Sequence, residues 1–167
     1  RYPRAANIYN NLGGAYYFSG DLEQAELYCR QALKLAPNLA PAYFNLGAIA
    51  AAKQNYQLAL DYWTKTIKLD PIHLDALLNL GIISLADNNC DAAIEYFSKV
   101  LQINPQLADG YIQRSFAYFL KGDRANAYLD YGRGVKFHSR LVGFDPQLDL
   151  FYRTETQKRN PGQEAVK

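Results

Sequence analysis

Four side-chain amides recur at one interval along this sequence: Asn11, Asn45, Asn79 and Gln113, each 34 residues from the next. A carboxamide carries a donor and an acceptor side by side. One such group can pair with both the C=O and the N–H of a peptide unit, whatever side chains that peptide bears. A row of amides is therefore chemistry for holding a polypeptide backbone rather than for breaking bonds. Beside the row lie Phe44, Leu78, Ile82, Ile112 and Phe116, which offer apolar anchor points for the side chains of an extended or helical segment.

The residue types from which catalysis is built are few and scattered. The two histidines, His73 and His138, have no acid or thiol partner at a recognisable spacing, and no glycine cluster follows a strand to cradle a phosphate. Cys29 and Cys90 form no CxxC and have no neighbouring His, so they read as small apolar residues of the interior. Acid pairs such as Asp21 and Glu23 fall where a helix begins and suit its dipole. No catalytic, cofactor or metal site is expected, and the chain reads as non-enzymatic.

The bulk composition agrees. Of 167 residues, 49% are apolar and 20% charged, a folded composition. A net charge of +2 with no run of Lys or Arg gives little reason to expect nucleic acid or an anionic membrane as a partner. With no apolar stretch of spanning length and no signal pattern, a cytoplasmic location is expected. The chain starts at Arg1 and contains no Met, so it reads as a trimmed piece from which a targeting or anchoring segment could have been removed.

The elements that must position the amides follow from other columns at the same period. Small residues recur at Gly13, Gly47, Gly81 and Ser115, and again at Ala25, Ala59, Ala93 and Ala127. Larger apolar residues recur at Cys29, Trp63, Phe97 and Tyr131 and at Leu33, Ile67, Leu101 and Val135, with closing prolines at Pro37, Pro71 and Pro105. A fixed period of this length marks a stacked repeat. Each unit holds two apolar-periodic stretches with helical spacing. Gly20, Asn88 and Gly122 stand between the two, where a left-handed residue ends the first helix. Gln54 is a poorer choice there, which predicts a strained or differently closed turn.

The units run 6–39, 40–73, 74–107 and 108–141 after a lead-in over 1–5. In the fourth unit, Arg114 stands in the Leu column, Gly134 in a column of helix-forming residues and Ser139 in the place of the closing proline. A longer or less regular second helix is expected there, with its end near residues 137–139. Residues 142–159 form a linker and a capping helix over 146–158, started by Asp145-Pro146, that covers the last unit with Leu148, Phe151 and Tyr152 and shows Asp149, Arg153 and Glu155 elsewhere. Residues 160–167 are read as a flexible tail.

On these columns residues 6–141 resemble the tetratricopeptide repeat. The resemblance implies an all-α, right-handed superhelix (an α-solenoid) whose first helices line a concave groove. The groove-facing columns of the family fall here on Asn7, Asn10, Asn11, Gly14 and Phe18 in the first unit and on their counterparts 34 residues on. The row Asn11, Asn45, Asn79 is similar to the asparagine ladder in the repeat region of O-GlcNAc transferases, which holds extended polypeptide. Chaperone-docking members clamp an acidic C-terminal tail with Lys and Arg on first helices, and Asp75 and Asn79 have no basic residue beside them. Binding of such tails is therefore not expected. The expected function is a protein-interaction module that takes a partner's peptide in its groove. The alternatives are a substrate-presenting segment of a larger enzyme, such as a glycosyltransferase, and self-association through the groove or the exposed end repeat.

Overall fold

The structure, a computed structural model, describes residues 3–137 and 145–159. Among the described residues there are nine α-helices and no strand. They are α1 (Pro3–Ser19), α2 (Leu22–Leu35), α3 (Ala40–Ala52), α4 (Tyr56–Leu69), α5 (Leu74–Ala86), α6 (Cys90–Ile103), α7 (Ala108–Lys121), α8 (Arg124–Phe137) and α9 (Pro146–Arg159). Helix is already present at Pro3, so part of the expected lead-in belongs to α1. The expected tail over 160–167 and the junction residues His138 and Ser139 lie outside the described residues.

The turns within the units obey the 34-residue period as strictly as the helices do. Positive φ occurs at Gly20, Gln54, Asn88 and Gly122, one per unit. Gln54 thus adopts the same left-handed conformation as its glycine counterparts, with φ 61°. Its turn is strained, not differently closed, because the Cβ of an L-residue crowds the following carbonyl there. One residue later an Asx side chain opens each second helix. The side-chain oxygens of Asp21, Asn55, Asn89 and Asp123 accept from the backbone N–H of Gln24, Leu58, Ala92 and Asn126 at 3.0–3.2 Å. Each satisfies a donor that the helix itself leaves orphaned.

Contacts divide the chain into two compact units, Arg1–Ile83 and Ser84–Lys167. In the first, Ala25, Cys29, Leu46 and Ile49 form a core joined by Tyr16, Tyr17, Leu22, Leu33 and Tyr62. The small-residue column is explained by what lies over it. A Cβ on Gly13 would overlap the Cys29 sulfur, and one on Gly47 would overlap the Trp63 indole. Trp63 is further held by Nε1 donating to the carbonyl oxygen of Phe44 at 3.2 Å.

In the second unit, Ile112, Ala127, Tyr131, Leu148 and Phe151 form the core. The capping helix α9 supplies the last two, and its start is fixed by Asp145 Oδ1, which accepts from the N–H of Leu148 at 2.8 Å. Asp149 faces inward rather than to solvent: it is buried and accepts a 2.8 Å hydrogen bond from the Tyr131 hydroxyl. Helix α8 is described to Phe137, and the residues on which its expected longer or irregular end falls, from 138 on, lie outside the described residues. Arg114 does not simply lose the column leucine. Its guanidinium bonds buried Asp130 through Nε at 2.6 Å and Nη2 at 3.1 Å, and donates to Ser98 Oγ at 3.0 Å. Asp130 stands where the earlier units have Tyr28, Tyr62 and Tyr96. A Leu/Tyr position pair has been exchanged for an Arg/Asp pair.

Candidate peptide-binding surface

The structure separates the amides that looked equivalent in sequence. Asn11 is exposed on α1, and Asn79 is half-buried on α5. Neither makes a side-chain hydrogen bond among the described residues. Asn45 is different: its Nδ2 donates to Asn10 Oδ1 at 2.9 Å and more weakly to the Asn10 carbonyl oxygen at 3.4 Å. Asn10 is itself buried. The donor side of Asn45 therefore ties α1 to α3, and only its carbonyl oxygen remains for a ligand. The same amide approaches the Cys29 thiol, whose pKa burial pushes up to about 11 while the contact with Asn45 opposes the shift. Cys29 is thus a neutral core thiol, and Cys90 is half-buried at the start of α6.

The apolar residues also divide. Phe44 and Leu78 are half-buried, whereas Ile82 is exposed. Phe44 lies against the His73 ring with centroids 4.6 Å apart. His73 is fixed in turn by Nδ1, which accepts from the Ala76 N–H at 3.3 Å at the start of α5. It is a helix-capping residue that braces Phe44. Gln113 and Phe116 are half-buried on α7, Phe116 packing on the second core.

Ile112 corrects the expectation from the sequence. Expected on the groove, it is 1% exposed and belongs to the core. The cause is Gly134 on α8: a Cβ there would stand 2.6 Å from Ile112 Cδ1, so the missing side chain leaves the pocket that Ile112 fills.

One residue of this surface was undervalued in the sequence. Phe18 is 88% exposed, the most exposed large apolar side chain described. It lies on the same face of α1 as Asn11 and Gly14, three and four residues apart along the helix. Its signal was present: the equivalent positions hold Ala52, Ala86 and Leu120. The surface of the first unit thus combines two free amides, a braced ring at Phe44, and exposed Phe18 and Ile82. Among the described residues no three His, Cys, Asp or Glu side chains converge as a metal would require. No described helix is long and apolar enough to cross a membrane.

Two family models, each described as tetratricopeptide repeat, match residues 6–39 and 39–108, together well over half of the chain. No curated protein sequence matches. Among solved structures the chain resembles a crystal structure of MamA at 25% identity, with 83% of this chain and 81% of that one covered and a TM-score of 0.74. MamA from Desulfovibrio magneticus RS-1, from residue 41 to its end, aligns at 19% identity over 93% of this chain and 88% of that one, with a TM-score of 0.79. A further MamA crystal structure aligns at 18% identity over 98% and 97% of the two chains, with a TM-score of 0.75. The last two show a shared fold.

Proposed function

This chain belongs to the tetratricopeptide repeat family, a family of protein-interaction scaffolds, and on that footing we propose that it holds an extended peptide segment of a partner protein on the first-helix face of residues 1–83. The observation that carries the reading is the pair of amides without a side-chain hydrogen bond among the described residues, Asn11 and Asn79, on the same first-helix face as exposed Phe18 and Ile82. Adjacent helices pack about 8–10 Å apart, so amides two units apart stand roughly 16–20 Å apart. An extended chain advances about 3.3 Å per residue. The two clamps would then grip backbone five or six residues apart, with side chains between them resting on Phe44, Leu78 and Phe18. Nothing in such a clamp requires a catalytic group, and the partner is a protein.

The test is selection of binders from a random peptide library, followed by titration of the best peptide against Asn11→Ala/Asn79→Ala. Two hydrogen bonds of about 0.5–1.5 kcal/mol each predict an affinity loss of roughly 5- to 150-fold with an unchanged melting temperature. A selected peptide that binds the double variant as tightly as the parent sinks the backbone clamp.

A further inference from the structure

Two adjacent glycines in α1 stand on different grounds. Packing requires Gly13, because a Cβ there would lie 2.5 Å from the Cys29 sulfur. Packing does not require Gly14: the nearest atom to an added Cβ is Asn45 Nδ2 at 3.7 Å, an ordinary van der Waals contact. A glycine inside a helix is less stable than alanine, so Gly14 weakens α1 and relieves no clash. One turn further along the same face, Phe18 is 88% exposed, its ring set edge-on against Tyr17 at 5.6 Å between centroids. Both columns stay open in units that follow another. Ala52, the counterpart of Phe18, is exposed, and Ile82, a counterpart of Gly14, is 45% exposed.

The surroundings define what can rest there. Helix α1 carries one charge, Arg4, ten residues before Gly14 and so about 15 Å away along the axis. Helix α3 carries none. A charged side chain placed here would lose hydration and meet no counter-charge, whereas an apolar one would cover the Phe18 ring and the bare backbone at Gly14. Asn11 lies three residues before Gly14 on the same face, so a peptide backbone held by its amide is within a side chain's reach of that backbone.

We propose that Gly14 and Phe18 set the specificity of the peptide-binding face, Gly14 as a floor and Phe18 as a wall for one large, uncharged, apolar side chain of the partner segment. This rests on the peptide-binding reading and adds which residue the peptide must contain. The floor column holds Ala48 on α3 and Ile82 on α5, so the floor rises along the face and the large residue fits at the α1 end.

The peptide selected from the random library is the probe. Replacing its large apolar residue by Ala should weaken binding about 10- to 100-fold, and replacing it by Lys at least as much. Gly14→Leu fills the floor and should cost at least about tenfold in affinity, while the melting temperature holds or rises. A fresh selection on that variant should return a small residue in place of the large one. Phe18→Ala should weaken the parent peptide about tenfold and leave binding of the Ala-substituted peptide unchanged. A peptide weakened by Asn11→Ala/Asn79→Ala but untouched by Gly14→Leu overturns the seat and leaves the amide clamp standing. One weakened by Gly14→Leu and not by the amide variant supports the seat and sinks the clamp, and one untouched by both overturns both. A Gly14→Leu chain that melts well below the parent would show that packing demands the glycine, and overturns the seat as well.

Discussion

Replacing Asn45 by Ala separates two roles that an amide ladder could have. If every ladder residue served only a ligand, the substitution would cost affinity and leave the fold alone. The structure assigns this amide an internal partner: Nδ2 donates 2.9 Å to the side-chain oxygen of Asn10, and Asn10 is only 7% exposed. Truncation leaves a buried acceptor without its donor, which costs about 1–3 kcal/mol. For a chain of this length roughly 1 kcal/mol moves the melting temperature by about 2–4 °C, so a fall of about 4–8 °C is expected at the middle of that range. Asn11→Ala removes a side chain with no internal hydrogen bond and should stay within about 0.5 kcal/mol of the parent. A cycle with Asn10→Ala isolates the pair: the two single losses should exceed the loss in the double variant by about 1 kcal/mol. Thermal melts followed by circular dichroism suffice. An Asn45→Ala protein that melts with the parent, or single losses that simply add, would refute the assignment of Asn45 to the α1–α3 joint.

Other variants address the turns and the fourth unit. Gln54→Gly relieves a left-handed residue and should stabilise the chain by about 1 kcal/mol; Gly20→Ala, at a position where an added Cβ meets nothing within 4 Å, should cost a similar amount through the backbone alone. Urea titration of both reads the difference, and a neutral Gln54→Gly would show that the turn is not strained. Arg114→Ala strips the bidentate partner from buried Asp130 and should cost about 3 kcal/mol. Arg114→Leu/Asp130→Tyr restores the residues of the other units and should recover most of that loss, since buried ion pairs are often replaceable by well-packed apolar groups. A double variant as unstable as Arg114→Ala would mean that the fourth unit cannot accept the packing of its predecessors.

The parts of the fold that were legible in the sequence are those set by local chemistry repeated at a fixed period. Glycine and Asx columns place the turns, proline closes the units, and Asp145-Pro146 starts α9, because each acts within a few residues of itself. The fate of the amides was not legible. Asn45 and Asn79 occupy the same column, yet Asn45 has Asn10 of the preceding unit within reach, whereas Phe44 stands in the place of Asn10 in the unit before Asn79. Ile112 was misjudged for a related reason: its burial depends on Gly134, 22 residues on, rather than on anything in its own helix. The burial of Asp149 likewise depends on a hydroxyl from α8. Such outcomes are set by pairs of columns, and a single column read alone does not contain them.

That dependence suggests how to sort the departures from the repeat. Where a column changes for packing, its partner column changes with it. Arg114 comes with Asp130, and Ile112 sinks inward where Gly134 makes room. Small Gly47 lies beneath large Trp63. A packing change without a matching one would leave a cavity or a clash, each costing a few kcal/mol. Phe18 breaks the pattern. It replaces the small residues of the second and third units, yet it fills no internal gap and stands 88% exposed. It does not stabilise the isolated fold by being there, and it adds apolar surface to water. A departure that comes without a matching internal change is best explained by an external partner, and Phe18 stands on the face proposed to bind peptide.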